Sequence, residues 1–96
     1  RVVIVEDVAA TAKSMSTILS LWQHETKTCP DGFTALEVIR TFRPDVVLAD
    51  LGLPQMSGYQ LAEEIRKLPG QQDTVLIAIS GYGQPADKER SQAAGF

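Results

Sequence analysis

Glu6 and Asp7 follow Val2-Val3-Ile4-Val5, Asp50 follows Val46-Val47-Leu48-Ala49, and Ser80 follows Val75-Leu76-Ile77-Ala78-Ile79. If these apolar runs are strands and the first two are neighbours, Glu6, Asp7 and Asp50 converge in one pocket. Three carboxylates in one pocket disfavour each other's ionisation. A divalent cation relieves that repulsion. An all-oxygen donor set in a small pocket favours Mg2+ over zinc or copper. The single His24 and single Cys29 supply no transition-metal set.

Each feature taken alone has a plainer reading. Glu6-Asp7 could be an acidic pair stabilising a helix start. Asp50 could be a loop cap, and Ser80-Gly81 could be turn chemistry. His24 and Cys29 read as structural, and Trp22 reads as a core residue on a helix stripe. The conjunction of three strand ends carries the site.

The elements that position these residues follow from hydrophobic periodicity. Val2 to Val5 is β-branched and uninterrupted, as in a strand buried on both faces. Met15, Ile18, Leu19 and Trp22 fall at i, i+3, i+4 and i+7, which predicts an amphipathic helix from Ala9 to about Gln23. The polar, Thr-rich stretch Glu25 to Cys29 suits an edge strand. Asp31 caps a helix whose apolar face holds Ala35, Leu36, Ile39 and Phe42, and Pro44 stops it. Val46 to Ala49 is a second buried strand. Pro54 keeps the loop from Leu51 to Met56 out of helix. Ser57 and Gln60 form a capping box that opens a helix with Leu61, Ala62, Ile65 and Leu68 on one face. Pro69-Gly70 ends it. Val75 to Ile79 is a third buried strand, and Pro85 opens a last helix with Gly95 just past its end.

The order is βα repeated four times. Strands apolar on both faces and alternating with helices make a parallel sheet covered on each side, an α/β doubly wound layout. Such folds place their chemistry at the carboxyl ends of the strands, which is where the acidic residues stand.

The bulk properties exclude several classes. The chain has 96 residues, 44% hydrophobic and 22% charged, with a net charge of -3. That is one ordinary globular domain, not a disordered tail, a collagen-like repeat or a disulfide-rich mini-protein. An acidic balance argues against nucleic-acid binding by this segment. No apolar run is long enough to span a bilayer, so no membrane contact is expected of this segment. A single cysteine and no signal peptide fit a reducing, cytoplasmic location. Arg1 leads straight into an apolar run, so the chain is expected to be a piece of a larger protein.

The sequence resembles the receiver domain of two-component response regulators. The residues that carry the resemblance are Glu6-Asp7 after Val2 to Val5, Asp31-Gly32, and Arg43-Pro44-Asp45. The most specific stretch runs from Val46 through Asp50-Leu51-Gly52-Leu53-Pro54-Gln55-Met56-Ser57-Gly58. Ile79-Ser80-Gly81 and Ala93-Ala94-Gly95-Phe96 complete it. The resemblance implies a flavodoxin-like sheet of order 2-1-3-4-5. It implies that Asp50 is the phosphoacceptor, taking a phosphoryl group from a phosphohistidine on a histidine kinase or phosphotransfer domain. Glu6 and Asp7 become metal-site carboxylates for Mg2+, and Gly52 supplies a backbone carbonyl. Ser80 meets the phosphoryl group with its hydroxyl and Gly81 with its backbone N–H. An aspartate is a competent nucleophile toward phosphorus, and a metal neutralises charge on the transferring oxygens.

The sequence departs from the family pattern in two places. Glu6 stands where Asp is also common and, one methylene longer, reaches a metal through water. The family's fifth strand, its lysine and its fifth helix fall beyond Phe96, and none of Lys13, Lys27, Lys67 and Lys88 sits at a strand end near the site. Residues 1–96 therefore read as a single receiver domain truncated at the C-terminus, with an open edge at Val75 to Ile79 that a second copy could cover. Gly81 to Asp87 resembles receivers attached to hybrid sensor histidine kinases. Gly52 and Tyr82 occupy positions that in the family tune hydrolysis, and imply slow self-dephosphorylation.

Other classes fit less well. A pseudo-receiver, acting only as an interaction domain, would not need Glu6, Asp7, Asp50 and Ser80 intact. A flavodoxin or dinucleotide site would need a phosphate-cradling or Gly-rich loop where Val8-Ala9-Ala10-Thr11 follows an acidic pair. A haloacid-dehalogenase-type phosphatase would carry a second Asp where Gly52 stands.

Overall fold

A computed structural model describes residues 1–53 and 55–79. Pro54, Ser80, Gly81, Tyr82 and the helix expected after Pro85 lie outside the described residues. The elements run β1 (Val2–Val5), α1 (Ala9–Leu21), β2 (Thr26–Cys29), α2 (Gly32–Phe42), β3 (Val46–Asp50), α3 (Gly58–Lys67) and β4 (Val75–Ile79). All strand pairs are parallel, in the order β2-β1-β3-β4. The parallel sheet is the one expected from the alternating pattern, and its order is the flavodoxin-like order that the resemblance implies.

The two faces of the sheet differ in cover. Val3, Val5, Val47, Ala49 and Leu76 form the main core with Ala35, Ile39, Leu61, Ala62 and Ile65 of α2 and α3. Side chains alternate along strands, so Val2, Ile4, Val46, Leu48, Val75 and Ile77 lie on the opposite face. There α1 packs on β1 and β2. Register places Ile4, Leu48 and Ile77 in one row across β1, β3 and β4. Along that row Ile4 is buried, Leu48 is half-buried and Ile77 is 45% exposed. Val75 is 52% exposed. The expectation that β4 is buried on both faces therefore holds for one face only.

The same thinning of cover corrects the reading of Trp22. Its helical spacing placed it on the apolar stripe, yet it is 68% exposed, and Ile18 and Leu21 are exposed with it. Only Ala12 of α1 is fully buried. A periodic stripe shows that a helix is amphipathic, not how wide a surface it meets.

Local signals set the helix boundaries. Asp31 Oδ1 accepts from the Thr34 N–H at 2.7 Å and starts α2. Arg43 ends it in the left-handed region at φ 50°, since the residue before Pro44 is barred from continuing the helix. The capping box of α3 is present as expected. Gln60 N–H donates to Ser57 Oγ at 3.2 Å, and Ser57 N–H donates to Gln60 Oε1 at 3.0 Å. From the far end of α3, Arg66 donates to the carbonyls of Gln71, Gln72 and Thr74 at 3.0, 3.0 and 2.6 Å. Those bonds fix the turn that delivers β4 to its place beside β3.

Gly58 sits where α3 passes closest to the end of β3. A Cβ there would lie 2.7 Å from the Asp50 carbonyl oxygen and 2.8 Å from Leu51 Cα. Both obstacles are backbone, so neither can rotate away. Its N–H also donates to the Leu51 carbonyl at 3.2 Å. Gly58→Ala is expected to destabilise the fold by about 1–3 kcal/mol, the usual cost of overpacking. Urea unfolding of the two proteins measures it, and an unchanged midpoint would contradict the close approach.

Candidate functional site

The three acidic residues named from the sequence do converge. Glu6 and Asp50 lie at the carboxyl ends of the adjacent strands β1 and β3, and Asp7 follows Glu6. One carboxylate oxygen from each lies within 4.8 Å of the others. Adjacency of β1 and β3, not proximity in sequence, makes the cluster.

The three carboxylates sit in different surroundings. Glu6 is buried, Asp50 half-buried and Asp7 exposed. Glu6 Oε1 accepts from the Val8 N–H at 3.1 Å, just ahead of α1. Asp50 Oδ1 accepts from the Gly52 N–H at 2.9 Å. So the plainer readings are physically present too: Glu6 serves the helix start and Asp50 caps its own loop. Both bonds hold a carboxylate in a defined direction and leave further lone pairs available.

Burial pushes the Glu6 carboxyl above its ordinary range, and the negative charges of Asp50 and Asp7 push it further. The bond from Val8 opposes this only in part. The cluster is thus under like-charge stress, and positive charge placed among the three oxygens would relieve it. The donor set is oxygen throughout, which matches a hard cation such as Mg2+.

Gly52 meets Asp50 through its amide. A Cβ at Gly52 would stand 3.7 Å from Asp50 Oδ1, an ordinary contact, so its lack of a side chain leaves open space beside the carboxylate. Ser80 and Gly81 lie outside the described residues. Cys29 and His24 take no part in the cluster. Burial raises the Cys29 thiol to about 11, so it stays protonated at neutral pH.

A groove of about 600 Å3 opens beside the acidic pair, between α1 and the end of β2, with Lys13, Thr28 and Cys29 on its walls. Glu6 and Asp7 line this groove and Asp50 does not, so the groove meets the cluster on the side of the acidic pair. No helix among the described residues is long and apolar enough to cross a membrane.

Comparison with known proteins agrees with this arrangement. The chain is 35% identical over 88 residues to the probable transcriptional regulator ycf27 of Guillardia theta, covering 92% of this chain and 34% of that protein. It is 31% identical over 95 residues to the signal transduction histidine-protein kinase BarA of Escherichia coli K12, covering 99% of this chain and 10% of BarA. The chain therefore spans about a third of the one relative and a tenth of the other. The receiver domain of the sensor histidine kinase PA1611 from Pseudomonas aeruginosa, solved with a magnesium ion in its active-site cleft, superposes with a TM-score of 0.89 at 25% identity, covering 99% of this chain and 78% of that one. The family model for the response regulator receiver domain matches residues 2–96, and with a parallel 2-1-3-4 sheet that gathers Glu6, Asp7 and Asp50 at its carboxyl edge, the chain belongs to that family.

Proposed function

We propose that the chain accepts a phosphoryl group from a phosphohistidine onto Asp50, with Mg2+ held in the acidic cluster, and switches conformation in response. The observation that carries this reading is the meeting of three carboxylate oxygens within 4.8 Å at the ends of β1 and β3. Glu6, Asp7 and Asp50, with the backbone carbonyl of Gly52, would hold the metal. When bound, the metal supplies positive charge against the carboxylates and the transferring oxygens. Asp50 supplies the nucleophile. The Gly52 N–H fixes Oδ1 and leaves Oδ2 free of hydrogen bonds among the described residues. In the transfer the new bond joins an Asp50 oxygen to phosphorus, and the phosphorus–nitrogen bond breaks with its electron pair going to the imidazole of the donor. Ser80 and Gly81 are assigned the phosphoryl contacts on the resemblance.

The donor is a histidine kinase or phosphotransfer domain. The likeness to BarA and to the PA1611 receiver supports a place within, or beside, a hybrid sensor kinase working in the cytoplasm. Incubation with acetyl phosphate and Mg2+ tests the reading. An acid-stable, base-labile phosphoryl group is expected, and chelation of the metal abolishes its formation. No labelling of the intact domain under these conditions would overturn it.

We further propose that the domain extends past Phe96 and that the extension covers the open half of the α1 face. Exposed Val75 and Ile77 on β4, and exposed Ile18 and Trp22 on and just after α1, support this. Among the described residues β4 is an uncharged apolar edge, the kind that pairs with other chains when left open. Residues 1–96 alone are expected to unfold at lower temperature than a longer version of the chain, or to pair through β4 into a homodimer. Sedimentation and thermal unfolding of the two decide. A monomeric 1–96 as stable as the longer protein would remove the need for any cover.

A further inference from the structure

A second surface lies on the other side of the sheet, away from α1. Phe33 and Leu36, one turn apart on α2, face Met56 and the α3 residues Gln60, Glu63 and Glu64 across a groove of about 460 Å3. That volume is at the small end of the range for binding clefts, about 300–1,000 Å3. Phe33 is 54% exposed, while Leu36 and Met56 are half-buried and pack on the main core. The floor is therefore firm, and a half-exposed aromatic ring borders it. The α3 wall is acidic. Glu64 pairs with Lys67 at 3.2 Å, while Glu63 is exposed and has no ion pair among the described residues.

We propose that this α2–α3 groove docks a basic amphipathic helix of a partner protein. An apolar side chain of the partner would lie between Phe33, Leu36 and Met56, and a lysine or arginine one turn away would meet Glu63. An amphipathic helix presents this combination at i and i+3 or i+4. Aromatic anchors with charged rims are where binding energy concentrates. The acidic wall selects a basic helix over an acidic one through charge complementarity.

The probe is a synthetic helical peptide with leucines on one face and lysines on its flanks, titrated into the intact domain. Phe33→Ser and Glu63→Lys, both exposed positions, are each expected to weaken binding about tenfold, the scale of an anchor residue. Glu25→Lys, a distant exposed change of the same charge, reports non-specific attraction and is expected to leave affinity within about twofold. A peptide with glutamates in place of the lysines is expected not to bind. Circular dichroism confirms that the variants stay folded. Unchanged affinity in both groove variants, an equal loss in Glu25→Lys, or binding of the glutamate peptide would each overturn the proposal. Sedimentation covers the other occupant: self-association that Phe33→Ser abolishes would assign the groove to a second copy of this chain and overturn the partner helix.

Discussion

Asp50→Asn is expected to abolish phosphoryl acceptance while leaving the fold intact. Asparagine has the same shape, and its side-chain oxygen can still accept the Gly52 N–H that now holds Oδ1 at 2.9 Å. What it loses is the anionic oxygen proposed to attack phosphorus. An amide oxygen is a far weaker nucleophile, so labelling by acetyl phosphate should fall by more than about a thousandfold, on the scale of losing a covalent nucleophile. The substitution also removes one of the two negative charges that raise the Glu6 carboxyl. The variant should therefore be no less stable than the parent at neutral pH, and urea unfolding checks that the loss of labelling is chemical and not structural. Persistent base-labile label on Asp50→Asn would move the acceptor elsewhere. Loss of label together with loss of the unfolding transition would show that Asp50 is needed by the fold.

Much of this site is legible in the sequence, for identifiable reasons. Uninterrupted, β-branched Val2 to Val5 and apolar Val46 to Ala49 read as strands of a helix-covered sheet, and parallel strands with right-handed crossovers place their carboxyl ends on one edge. The meeting of Glu6, Asp7 and Asp50 needs one thing more, that β1 and β3 be neighbours, which the pairing of the two strands supplies. The caps at Asp31 and at Ser57 with Gln60 were equally readable, because capping is local chemistry with fixed spacing. What could not be read depends on contacts distant in sequence. Trp22 has perfect helical spacing, but its burial depends on what stands over the sheet beyond β1. Ile77 alternates like any core residue, yet it lies past the reach of α1. Gly58 was visible only as part of a motif. Its steric role at the Asp50 carbonyl needed the path of α3 against β3. The burial of Glu6 against the exposure of Asp7 likewise depends on the fold around them, since the two residues are neighbours of the same type.

Mg2+ is expected to stabilise the domain strongly at neutral pH and hardly at all in acid, and Glu6 sets the pH at which the change occurs. Its carboxyl titrates above the ordinary glutamate value of 4.5 because of burial and the neighbouring charges of Asp50 and Asp7. In the window between that value and the raised one, the folded state holds a proton that the unfolded chain has released. Stability without metal therefore falls as pH rises through this window, and the contribution of protonated Glu6 is fully present only below it. Cation binding requires the ionised cluster, so its effect has the opposite slope. At a metal concentration ten times the dissociation constant, the gain at neutral pH is about 1.4 kcal/mol, or roughly 5–10 °C in melting temperature for a domain of this size. Thermal melts with and without Mg2+ across the acid-to-neutral range measure both slopes. Asp7→Ala removes the exposed carboxylate of the proposed metal site, and it should abolish most of the metal-linked gain without lowering the metal-free melt, because the charge it removes is one that presses on Glu6. Glu6→Gln removes the titrating group itself, so the fall in metal-free stability assigned to it should vanish. A melting temperature that rises equally with Mg2+ at every pH, or a gain that survives Asp7→Ala, would place the cation outside this cluster.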